Sequence, residues 1–242
     1  MRSPPLTPAA LTQIPGWFGK IPCLGDFASR RLPAAFISPW DAWLQSVIIG
    51  SREILDERWL EVYLHSPIWQ FMLHPGLCGS SGWFGVLMPS VDRANRHFPL
   101  TIAFETPVAD LNAEALSQII TRLCGLADIA ADTLAAEQTL ESLEGRLLQW
   151  STSPPNRRPV ALPTCTPVMP VTDDQIGLVS LSSLLGHLVR ARRDCPSGAH
   201  DIPRGFWWSN ATGHDGEWLM ARSSGLPTST LYAQLLVGKV LG

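Results

Sequence analysis

Two short runs in this chain nearly repeat one another: Gly16-Trp17-Phe18-Gly19-Lys20-Ile21-Pro22 and Gly82-Trp83-Phe84-Gly85-Val86-Leu87-Met88-Pro89. Each has the aromatic and aliphatic content of a strand, each is stopped by proline, and each leads into a polar cluster. The first cluster is Gly25-Asp26-Phe27-Ala28-Ser29-Arg30-Arg31, and the second is Ser90-Val91-Asp92-Arg93-Ala94-Asn95-Arg96-His97-Phe98-Pro99. A carboxylate set beside arginines directly after an apolar run is costly unless it is paired or exposed for use. Similar strands delivering similar clusters predict neighbouring strands of one sheet, with Asp26 and Asp92 leaving on the same rim.

The pattern around these runs is that of a single folded domain. Ser38-Pro39 reads as an N-cap and first helical position, opening a helix to about Asp56, and Trp59, Tyr63 and Leu64 read as a second short element. Ile68 to Leu73 and Phe98 to Glu105 are strand-like, so Asp92 to His97 becomes a strand-to-strand connection. Asp110 to Asn112 cap a long helix striped by Leu116, Ile119, Ile120 and Leu123, which breaks near 135–139 before a second stripe of Leu140, Leu143, Leu147 and Trp150. A proline-rich excursion over about 153–170 follows, then a helix from Leu181 to Arg193. Gly205 to Ser209 and Glu217 to Ala221 form a predicted hairpin, and Leu226-Pro227-Thr228 starts a last helix. Residues 1–13 read as a flexible leader and 14–242 as one α/β domain. Irregular alternation of strands and helices predicts a mixed sheet covered by helices.

Composition narrows the function classes. Of the 242 residues 45% are hydrophobic and only 16% charged, which suits a globular core with most of the tryptophans inside it. A net charge of −3 and a pI near 6.0 leave no electrostatic footprint for nucleic acid or an anionic membrane. Signal-peptide patterning is absent, and no run approaches the roughly 18 apolar residues of a membrane span. Cys23, Cys78, Cys124, Cys165 and Cys195 are scattered, with no C-x-x-C pair, so they read as buried or free thiols of a reducing compartment and the expected location is the cytoplasm.

Few of the motifs that mark catalytic chemistry occur in the sequence. There is no G-x-S-x-G elbow, no phosphate-binding glycine loop and no H-E-x-x-H, so neither a cofactor nor a metal is expected. Cys195 with His200, and Asp173-Asp174, read as loop residues rather than ligands. The clusters remain, with Asp26, Arg30, Arg31, Ser90, Asp92, Arg93 and Arg96 as candidate residues. Their arginines and carboxylates could pin two loops together, present arginine anchors to a protein partner, hold an anionic ligand, or act catalytically. We expect a division of labour in which Arg93 is structural and Arg30 or Arg31 faces outward.

From Pro15 to Glu105 the chain resembles the TagF family, also called ImpM or SciT, accessory proteins of bacterial type VI secretion. The resemblance rests on Trp17 to Pro22, Gly25-Asp26-Phe27, Arg30-Arg31-Leu32-Pro33, Trp40-Asp41-Ala42-Trp43-Leu44, Ser66 to Phe71, Trp83 to Leu87, and Pro89 to Arg93 continuing through Arg96 to Thr101. Trp207-Trp208 and Gly225-Leu226-Pro227 extend it more weakly. It implies a three-layer α-β-α sandwich with no catalytic activity, a post-translational regulator that generally represses secretion. The partner it implies is a scaffold with a forkhead-associated domain, linked to a threonine-phosphorylation pathway. Some relatives carry a fused PP2C-type phosphatase, for which this length leaves no room. The chain departs from the family pattern at Asn95, where glycine is usual, and asparagine tolerates the left-handed backbone such a turn needs. Two other classes stay open: a small α/β hydrolase or phosphate-handling enzyme using Asp26 and Asp92 with the arginines, and a structural subunit of the apparatus.

Overall fold

Both Trp-Phe-Gly runs become strands. The computed structural model describes residues 13–108, 111–135, 137–153, 171–193, 204–210 and 217–239; nearly all of the leader and of the proline-rich excursion, with Cys165, Cys195 and His200, lies outside them. In chain order the elements are β1 (Gly16–Gly19), β2 (Ala28–Arg30), α1 (Ala34–Leu55), α2 (Trp59–His65), β3 (Trp69–Leu73), β4 (Gly82–Met88) and β5 (Leu100–Thr106). There follow α3 (Ala113–Asp132), α4 (Leu140–Thr152), β6 (Ile176–Ser180), α5 (Leu181–Arg193), β7 (Arg204–Ser209), β8 (Glu217–Ser224) and α6 (Ser229–Val237).

The eight strands form one sheet in the order β2-β1-β5-β4-β3-β7-β8-β6, and every pairing is antiparallel. The expected mixed sheet is therefore corrected. Helical crossovers do join like-directed strands, β2 to β3 and β6 to β7, but three strands lie between the first pair and β8 lies between the second. Hairpins and a meander fill the places where parallel neighbours would have stood. The same order corrects the expectation that β1 and β4 are neighbours. Strand β5 separates them, and because both pair antiparallel to it, both run the same way and end on one rim.

Alternate residues of β4 divide between two cores. Phe84, Val86 and Met88 join Leu116, Ile119, Leu123, Leu147 and Leu184 from α3, α4 and α5. Trp83 and Leu87 join Phe36, Trp40, Trp43, Tyr63, Leu231 and Leu235 from α1, α2 and α6. That is the period-2 signature of a sheet buried on both faces. All ten tryptophans are buried, and nine donate their indole N–H to a protein acceptor. In the second core Trp40 and Trp207 lie nearly parallel, ring centres 6.1 Å apart, with Trp43 and Phe71 against them.

The helix termini test the local readings. Asn112 caps α3 by accepting the Ala115 N–H, Thr139 caps α4 after the expected break, and Thr228 caps α6. Helix α1, however, starts four residues before the predicted Ser38 cap: the Pro33 carbonyl takes the N–H groups of Phe36 and Ile37, and Pro39 lies inside the helix. Packing of Phe36 and Trp40, both fully buried, holds the turn that Pro39 would otherwise weaken.

Candidate functional site

The rim is built where β1 ends and where the β4–β5 connection passes. Gly19 has φ +132°, and a Cβ there would sit 2.1 Å from the Pro99 carbonyl, so only glycine lets the two segments approach this closely. Just beyond it, the Lys20 ammonium is buried and lies 3.1 Å from Oδ2 of Asp92, whose side chain is wholly removed from solvent. Asp92 also accepts the Arg96 Nε at 2.7 Å on Oδ2, and the Ala94 and Arg96 backbone N–H groups at 2.8 and 3.0 Å on Oδ1. Burial alone would raise the Asp92 carboxyl. The four donors outweigh it and hold the carboxyl far below the ordinary carboxylate range.

The turn that wraps Asp92 depends on Asn95, whose φ of +61° supplies the left-handed conformation expected of it. From this turn the second cluster grips the first. The Arg93 N–H donates to the Leu24 carbonyl at 2.9 Å, its guanidinium donates to the Cys23 carbonyl, and Arg96 Nη2 donates to the Gly25 carbonyl at 2.7 Å. Ser90 is the buried junction beneath: its hydroxyl donates to the Lys20 carbonyl at 2.7 Å, and its backbone N–H and carbonyl both bond the Tyr63 hydroxyl. Burial pushes that hydroxyl far above its ordinary value. His97 lies edge-on to Trp59 and Tyr63.

Asp26 and Asp92 thus leave on one rim, bridged by Arg96, whose Nη2 is 3.8 Å from Asp26. Asp26 itself is exposed and accepts the Phe27 N–H. Arg30 and Arg31 do not pair with it. Both turn to Glu144 on α4: Arg31 binds in fork fashion at 2.5 and 3.1 Å, Arg30 Nη1 lies at 3.7 Å, and the Trp17 indole donates at 2.7 Å. Burial raises the Glu144 carboxyl, but the Arg31 and Trp17 hydrogen bonds and the charges of Arg31 and Arg30 bring it below its ordinary value. Arg93 ties the loops through backbone carbonyls rather than through Asp92.

Sequence reasoning missed Lys20 and Glu144 as members of these networks. Both left signals: Lys20 is a cation inside an apolar strand run, and Glu144 lies on the stripe of α4, four residues from Leu140 and three from Leu147. Among the described residues, no group of three His, Cys, Asp or Glu side chains could hold a metal ion, and no helix is long and apolar enough to cross a membrane. Asp173 of the suspected acidic pair is taken up by Arg222.

The molecule is an antiparallel α/β domain whose two polar loops are locked into one rim by a buried carboxylate. The family model described as the TagF N-terminal domain, type VI secretion system-associated, matches residues 16–150, over half of the chain, and the chain belongs to that family. It is also similar to the crystal structure of PA0076 from Pseudomonas aeruginosa PAO1, at 28% identity and a TM-score of 0.67, over 94% of this chain and 96% of that one. No curated protein matches it.

Proposed function

We propose that this protein is a cytoplasmic, non-enzymatic regulator of type VI secretion that acts after translation, generally as a repressor, by binding a scaffold protein with a forkhead-associated domain. The association with type VI secretion follows from family membership; the observation that carries the regulatory reading is the rim. Two loops from separate parts of the chain are fixed by a buried ion pair while Phe27, Arg93 and Arg96 are left facing solvent. Rigid exposed aromatic and arginine side chains are the usual anchors of a protein interface. The helices divided between two cores support reading the domain as the three-layer sandwich of its family.

The hydrolase reading has less to stand on. Asp92 is saturated by four donors and held ionised, which makes it a poor general base, and burial pushes the Cys78 thiol up to about 12, where it is no nucleophile. The test is a pull-down from cells expressing the secretion system, paired with a secretion assay after deletion and complementation. Capture of the scaffold and increased secretion on deletion are expected. A protein that captures no scaffold and whose loss leaves secretion unchanged is not this regulator. Turnover of phosphoester or acyl ester substrates abolished by Asp92→Asn would overturn the non-enzymatic part.

A further inference from the structure

The rim's two exposed guanidinium groups are spaced by the backbone they grip. Arg93 is held on the Cys23 carbonyl and Arg96 on the Gly25 carbonyl, two residues apart, so the two carbonyls that hold them lie no more than about 7 Å from one another along the first loop. Alternate side chains of an extended peptide repeat at roughly 6.6–6.8 Å on one face. Each arginine has spent part of its donor set on the loop, which fixes its direction, while more than half of the Arg96 side chain still faces solvent.

Phe27 follows Asp26 on the first loop, is 47% exposed, and is itself held in place. Its ring meets Phe98 edge-on at 4.7 Å and Phe18 at 6.3 Å, and the Lys20 ammonium lies 4.8 Å from its centre. A large apolar side chain kept rigid at the surface loses little entropy on contact with a partner.

The local charge favours an anion. Among the described residues, the rim's ion pairs join Lys20 and Arg96 to Asp92 and Asp26 while Arg93 is held by backbone carbonyls, so three cations stand against two carboxylates on a chain whose net charge is −3. Arg52, stacked 4.2 Å over Trp59, extends the positive side past His97. His97 reports the field: burial first, then the charges of Arg52 and Lys20, hold it below its ordinary value in spite of Asp92.

We infer that this rim is a docking surface for an extended acidic segment of a partner protein, with alternate carboxylates on Arg93 and Arg96 and an apolar side chain against Phe27. The inference rests on the regulatory reading above and names the chemistry by which that partner is recognised. Guanidinium forks bind carboxylates in bidentate fashion, and the loop holds both forks ready before the peptide arrives.

The test is fluorescence anisotropy with the full chain and a labelled peptide carrying glutamate at alternate positions separated by valine. Matched peptides carry glutamine in place of glutamate, or a single phosphothreonine. Expected are saturable binding of the glutamate peptide that weakens as salt rises, and none of the glutamine peptide. Arg93→Ala and Phe27→Ala should each weaken binding roughly tenfold with little change in melting temperature. Arg30→Ala, which removes an exposed arginine on the Glu144 side, should leave binding unchanged. No binding by the wild-type protein, equal binding of the glutamine peptide, binding of the phosphopeptide alone, or indifference to both rim variants would each overturn the proposal. Scaffold capture is measured separately. A scaffold retained equally by wild type and both rim variants leaves the regulatory reading standing and removes the rim from it. Peptide binding without scaffold capture does the reverse.

Discussion

Asp92 and Glu144 are both carboxylates that join distant stretches of chain through arginine, but their surroundings differ. Asp92 has no solvent contact and takes two of its four donors from the backbone of its own turn, with Lys20 buried beside it. Glu144 keeps about a fifth of its side chain in water and draws its partners, Trp17, Arg30 and Arg31, from the first strand pair. The difference lies in what is left behind on removal. Without Asp92 an ammonium is stranded in the interior, where no water can replace the lost partner; without Glu144 the arginines turn outward to solvent.

The largest expected effect is therefore at Asp92. Asp92→Ala should lower the melting temperature by roughly 10 °C or more, and the double variant Lys20→Met with Asp92→Leu should recover part of that loss, because neither charge is then buried. An Asp92→Ala protein melting within about 2 °C of wild type would break the comparison. Glu144→Gln comes next. The amide oxygen can still accept the Trp17 N–H, so the cost is about 1 kcal/mol, read as a shift of roughly 2–4 °C in thermal melting.

Acid sharpens the contrast. A carboxyl held below its unfolded-state value contributes stability that is complete above that value, about pH 4, and shrinks as pH falls through it. Glu144 is such a group, so the stability gap between wild type and Glu144→Gln should be full at pH 6 and narrow below pH 4. Urea midpoints of both proteins between pH 6 and pH 2.5 measure it, and a gap that does not change over that range would mean that the pairing is not electrostatic. Smallest of all is Asp26→Ala. Its exposed carboxylate touches Arg96 only at 3.8 Å, so unfolding should move by no more than about 0.5 kcal/mol.

The same two carboxylates show what a sequence discloses. Asp92 and Arg96 are four residues apart, and their pairing was within reach of local reasoning, as was the left-handed Asn95 between them. Glu144 meets Arg31 across 113 residues, and no local spacing encodes that meeting. The strand-forming runs at Trp17 and Trp83 were legible because β propensity and proline stops are local, whereas the insertion of β5 between them is a property of chain reversal. Strand β6 escaped notice because Ile176 to Ser180 is short, carries a glycine, and follows an acidic turn. The Ser38-Pro39 signal was real chemistry in the wrong place, outweighed by tertiary packing of Phe36 and Trp40.

The parallel pair Trp40 and Trp207 carries one more consequence. The rings belong to α1 and β7, elements far apart in the chain, and at 6.1 Å centre to centre their electronic transitions couple. That coupling exists only while the helix is docked on the sheet, so the near-ultraviolet circular dichroism of the unlabelled protein, to which the other buried tryptophans also contribute, should lose intensity when α1 leaves the sheet. Backbone ellipticity, by contrast, registers only that helices have formed.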